Sequence, residues 1–131
     1  AKIRKTKVDA RLLGYVPNEE LPGLISQYEA FVLPSLYEGH PKAILEAMSC
    51  GLPVIGTKVS GTGELIIHGK SGLLADTDHL SLRSVIVTLM SDLQLRTELG
   101  IGARELILKS FNLKNTSYII KARFIIRFNS W

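Results

Sequence analysis

The chain has 131 residues, of which 46% are hydrophobic and 21% charged, with a formal net charge of +4. That size and balance suit one compact domain with a real core, and they argue against a disordered chain. One cysteine excludes an internal disulfide, and no run approaches the roughly 18 consecutive apolar residues of a membrane span, so a soluble, cytoplasmic domain is expected.

The chain opens without methionine on the basic residues Lys2, Arg4, Lys5 and Lys7, which suggests a start partway through a larger protein; the run itself reads as a solvated charge cluster. A strand is predicted near Ala10 to Leu13, a helix near Glu20 to Tyr28, and a buried strand at Phe31 to Leu33. Next comes a helix from Lys42 to Cys50, with Pro41 in its first position, where a missing N–H costs nothing. A strand at Pro53 to Gly56, the loop Ser60 to Gly63, a short helix Glu64 to Ile67 and a brief strand at Leu73 and Leu74 complete the alternation. Strand and helix in turn imply an α/β, Rossmann-like parallel sheet with flanking helices. Beyond Leu80, periodic apolar positions from Leu82 to Leu106 predict helices and no further strand, so the sheet is expected to finish by Ala75.

In such a sheet ligands bind beyond the strand C-termini, where a helix N-terminus favours an anion, naturally a phosphate. Glu38 precedes the helix at Lys42, and Glu46 lies about 7 to 8 Å up its axis at 1.5 Å rise per residue. A diphosphate at the helix start would leave its ribose near Glu46 and a further group, a sugar, near Glu38. Without a ligand, Glu38 would be an ordinary loop residue and Glu46 a partner of Lys42, in the weaker order for a helical pair. Gly61 and Gly63 lie between the next strand and helix, where glycine lets backbone come close to a ligand, although Gly-x-Gly alone is more often a plain turn.

Glu38-x7-Glu46 within EGHPKAILEAMSCGLPVIGTKVSGTGELI resembles the signature of the group 1 glycosyltransferases, retaining enzymes of the two-domain GT-B fold. Leu13-Gly14-Tyr15-Val16 with Asn18-Glu19-Glu20-Leu21, and His68-Gly69-Lys70-Ser71-Gly72-Leu73-Leu74, resemble the elements flanking that signature. The resemblance runs from about Val8 to Lys109. It implies a C-terminal, donor-binding domain: sheet and donor loops over residues 8–75, a helical part over 80–131, and an acceptor-holding N-terminal domain as the missing partner. It further implies transfer of a hexose from a nucleoside diphosphate sugar, with Glu38 as the catalytic candidate on the sugar and Glu46 on the ribose. Gly39, His40, Pro41, Lys42, Gly61, Thr62 and Gly63 complete the donor-binding set, with Glu64 capping its short helix.

The pattern departs from the family at two positions. His40 stands where an aromatic is frequent and is expected to act by shape and backbone contact, and Pro41 stands where glycine is common and cannot donate. Neither a cofactor nor a metal is expected. Cys50 beside Met48 reads as a small packed hydrophobe, and His68 and His79 receive no role. The tail from Tyr118 to Trp131 mixes apolar and basic residues, which allows contact with a membrane surface at the inner face or packing across two domains; its scattered charge argues against nucleic acid. The alternative from another class is a non-catalytic nucleotide or nucleotide-sugar module, or an inactive fragment.

Overall fold

The computed structural model describes residues 13–39 and 41–110, together with the backbone of 124–126. A 3-10 turn, Asn18–Glu20, runs into helix α1, Leu21–Ile25. Strand β1, Ala30–Leu33, leads through a loop to α2, Lys42–Ser49, and β2, Val54–Thr57, leads to the four-residue α3, Thr62–Leu65. Strand β3, Leu73–Ala75, precedes α4, His79–Met90, and α5, Leu93–Ser110; β4, Phe124–Ile126, is the last described element.

The strands lie in the order β3-β2-β1-β4. β1, β2 and β3 are parallel, with Leu33 opposite Gly56 and Gly56 opposite Leu74. Every residue of β1 and β2 is buried, as expected of parallel strands covered on both faces. Alternation along β1 divides the core. Phe31 and Leu33 pack with α1, α2 and Ala103 and Ile107 of α5, whereas Ala30 and Val32 pack with Leu73, Leu89 and Leu99 on the other face.

Helix α2 is fixed by its buried apolar face and by the residues at its C-terminal end. Ala43, Ile44, Leu45, Ala47 and Met48 are buried, and the helix stops at Gly51, whose φ of +73° is the left-handed conformation glycine adopts readily. Gly51 N–H donates to the Met48 carbonyl and Leu52 N–H to the Ala47 carbonyl, the paired bonds of a Schellman cap. Asp78 caps α4 by accepting from Ser81 N–H at 2.8 Å, and Asp92 accepts from Leu95 N–H at 3.0 Å as α5 begins.

Four expectations need correction. The sheet does not finish at Ala75, because β4 adds an antiparallel strand along β1; the aromatic and β-branched run Phe124-Ile125-Ile126 suits that role better than the helix expected over 80–131. Pro41 is the N-cap of α2, not its first residue, since its ψ of 75° leaves the helical range. The helix expected at Glu64–Ile67 begins two residues earlier, so Gly63 lies inside it, and the extended ψ of 123° at Ile66 ends it. The helix expected over Glu20–Tyr28 contracts to Leu21–Ile25 after the 3-10 turn. The expected strand near Ala10 lies outside the described residues apart from Leu13, and the basic N-terminal run lies wholly outside them.

Candidate functional site

Because β1 and β2 are parallel neighbours, the loops that follow them emerge at the same end of the sheet. The first loop runs from Pro34 to Pro41 and carries Glu38; the second runs from Lys58 to Gly61. Gly61, buried at φ +85°, touches the first loop so closely that a Cβ there would lie 2.6 Å from the Glu38 carbonyl oxygen and 2.8 Å from that of Gly39. Glycine is therefore required at 61 by crowding as well as by dihedral angle. At Gly39 and Gly63 a Cβ would meet nothing within 4 Å, so these two glycines front open space.

Two hydroxyls tie the loops together beneath Glu38. The Thr57 hydroxyl, at the end of β2, donates to the carbonyl of Ser35, and the Ser35 hydroxyl donates to Glu38 Oε2 at 3.1 Å. Glu38 is half-buried, whereas Leu36 and Tyr37 before it are 79% and 83% exposed. Neither Ser35 nor Thr57 stood out in the sequence, although a serine three residues before a loop glutamate is a local signal that reasoning could have used.

The crevice wall on the other side is α2. Pro41 is buried at its start and Lys42 is exposed, while Glu46 is half-buried one turn further on, with Oε2 shielded from solvent. The Glu46 carbonyl accepts from Cys50 N–H at 3.1 Å and from the Ser49 hydroxyl at 2.7 Å. Arg104 of α5 reaches across to donate to the Ser49 carbonyl at 2.6 Å, bringing a positive charge to the negative end of α2. Burial is the main influence on the Cys50 thiol and pushes its pKa up, with Glu46 adding to the rise and Ser49 and Arg104 opposing it. The residue is therefore a packed thiol.

Thr62 differs from its expected place. It is fully buried, its Cγ2 resting on Gly56 where an added Cβ would come within 2.2 Å. Its hydroxyl has no hydrogen-bond partner among the described residues. Thr62 thus seats α3 on β2 and does not line the open crevice. Glu64 is exposed in the first turn of α3, where a carboxylate meets the favourable end of the helix dipole. Lys58 and Asp76, just beyond β2 and β3, form an exposed ion pair at 3.2 Å. His40 lies outside the described residues. The structure therefore brings Glu38, Gly39, Gly61 and the start of α2 together and sets Glu46 behind them.

A parallel sheet with a glycine-clasped pair of loops and a helix N-terminus at its C-terminal end defines a Rossmann-like binding unit of the kind that takes nucleotide ligands. The family model described as "Glycosyl transferases group 1" matches residues 1–92, and the chain belongs to that family. O-antigen chain mannosyltransferase B of Escherichia coli is 52% identical over 66 residues, covering 50% of this chain and 17% of that protein. Among solved structures, sucrose-phosphate synthase from Thermosynechococcus elongatus superposes with a TM-score of 0.69 at 34% identity over 72% of this chain and 24% of its own. Anabaena HepE in complex with UDP gives 0.67 at 28% identity, over 71% of this chain and 26% of its own. These neighbours are GT-B glycosyltransferases, and the chain spans a quarter or less of the first two relatives' length.

Proposed function

We propose that this chain is the C-terminal, donor-binding domain of a retaining hexosyltransferase and holds a nucleoside diphosphate sugar in the crevice between the Glu38 loop, Gly61 and α2. The observation that carries the reading is the clasp of Gly61 against the Glu38 and Gly39 carbonyls, which fixes two strand-end loops beside the N-terminus of a well-packed helix. A similar neighbour, HepE, was solved in complex with UDP.

In this reading the diphosphate lies at the start of α2, near Gly39, Pro41 and Lys42, where the helix dipole favours negative charge as the leaving group departs. Glu46 accepts from the ribose hydroxyls. Glu38 accepts from hydroxyls of the hexose and holds the ring so that the acceptor hydroxyl, supplied with an N-terminal domain, attacks the anomeric carbon with retention. Gly61 and Gly63 shape the facing wall, and Thr62 acts through packing. The proposal includes no metal and no cofactor; positioning and charge stabilisation supply the rate.

Titration calorimetry with UDP, GDP, ADP and their hexose conjugates tests the reading. One nucleotide should bind, its sugar conjugate should bind more tightly, and Glu46→Ala should weaken both by about tenfold, the order expected for a lost hydrogen-bond acceptor. A folded chain that binds none of them would refute it.

A further inference from the structure

Glu38 sits on a loop whose preceding residues, Leu36 and Tyr37, project into solvent, so its immediate neighbours in sequence do not hold it. A glutamate there has three side-chain torsions to fix before its carboxylate can point anywhere in particular. Two restraints act on it, one from a separate loop and one from three residues earlier in the chain. Gly61 packs on the Glu38 and Gly39 carbonyls and restrains the backbone. The Ser35 hydroxyl, 3.1 Å from Glu38 Oε2, restrains the side chain.

We propose that Ser35 is a positioning residue that, held in turn by Thr57, aims the Glu38 carboxylate at the donor sugar. The inference rests on the reading of Glu38 as the group that meets the hexose. Ser35 is suited to the task because its own backbone is anchored: its carbonyl accepts from the hydroxyl of Thr57, which is 2% exposed on β2. The hydroxyl thus projects from a fixed point on the sheet, and its bond to an ionised carboxylate is of the stronger, charge-assisted kind. Oε2 is occupied by Ser35 and Oε1 remains to accept from a sugar hydroxyl. A carboxylate offers about four lone-pair sites, so one internal donor orients it without exhausting it. The arrangement separates two jobs: Gly61 keeps the loops together, and Ser35 chooses the direction of the charge.

The test is the ratio of affinities for a nucleoside diphosphate and its sugar conjugate, measured by calorimetry on the whole chain. The probes are UDP with UDP-glucose, GDP with GDP-mannose and ADP with ADP-glucose, using whichever pair the unaltered chain binds. Glu38→Gln should cut the ratio by about tenfold, the scale of one lost hydrogen bond to a charged group, and Ser35→Ala should cut it comparably while leaving the nucleotide affinity within about twofold. Ser35→Thr, which keeps the hydroxyl, should restore the ratio, and Thr57→Val should lower it by less than Ser35→Ala. A purely structural role for Ser35 would instead weaken both ligands equally and leave the ratio unchanged. If Glu38→Gln lowers the ratio and Ser35→Ala does not, the positioning role is wrong while the donor reading stands. If the unaltered chain binds no pair, or Glu38→Gln leaves the ratio untouched, the assignment of Glu38 fails and the positioning role falls with it.

Discussion

Helices α2 and α4 flank the same sheet, yet they are held in very different ways. α2 buries Ala43, Ile44, Leu45, Ala47 and Met48, ends in a Schellman cap, and receives Arg104 at the carbonyl of Ser49. On α4, Leu89 is buried, Leu82, Val85, Ile86 and Met90 are partly covered, and Leu80 and Val87 are exposed. α2 is wedged between α1, the sheet and α5, whereas α4 rests on β2, β3 and α5. The helix that carries Glu46 is the one whose position is over-determined, as the proposed donor site would require.

The contrast can be broken most directly by trimming each helix. Met48→Ala should destabilise the chain by about 2–5 kcal/mol, because it empties a fully buried site, whereas Val87→Ala should stay within about 0.5 kcal/mol. Urea denaturation of both variants decides it, and equal losses would mean that α4 contributes as much as α2. A second comparison lies between two glycines at the start of α3. Gly61→Ala should cost at least about 1–3 kcal/mol from the positive φ, with the collision against the Glu38 and Gly39 carbonyls added. Gly63→Ala, in a helix and facing open space, should gain up to about 1 kcal/mol. Thermal melts of the pair would show opposite shifts if the clasp is as tight as the geometry indicates.

Arg104→Met sharpens the picture of α2 itself. Losing an exposed donor at the helix C-terminus should cost about 1 kcal/mol, seen as a lower denaturation midpoint that added salt narrows. The smallest effect concerns Cys50. Its pKa is raised in the folded chain, so the thiol favours its protonated form there; the resulting stability is complete below the unfolded pKa and is lost as pH rises through the folded one. Iodoacetamide should accordingly modify Cys50 more slowly in the folded chain than in urea, with the rate rising at higher pH in the folded chain. Identical profiles in the two conditions would contradict the burial of the thiol.

Much of this was legible because it is local. The apolar run Phe31-Val32-Leu33, the heavily apolar stretch from Ala43 to Met48 and the glycine at 51 each specify their element within a few residues. The spacing of Glu38 and Glu46 was equally plain, as was the loop at Gly61. What escaped were the exact starts of α2 and α3, where one residue's ψ decides the boundary, and the strand Phe124–Ile126, three residues that are too few to mark a strand until their pairing with β1 is present. Thr62 was placed among ligand-facing residues on its position beside Gly61, and only its packing on Gly56 turned it inward.

The amino-acid sequence by itself determined the alternation of strands and helices, the parallel core sheet and the presence of two glutamates around a helix start, since these follow from short-range periodicity and from residues with narrow backbone preferences. The tertiary structure decided which groups anchor the loop and the helix that carry those glutamates. Thr57 and Ser35 are 22 residues apart, Arg104 and Ser49 are 55 apart, and Gly61 meets Glu38 from a separate loop. Contacts of that separation depend on how whole elements pack, and no window of sequence contains both partners.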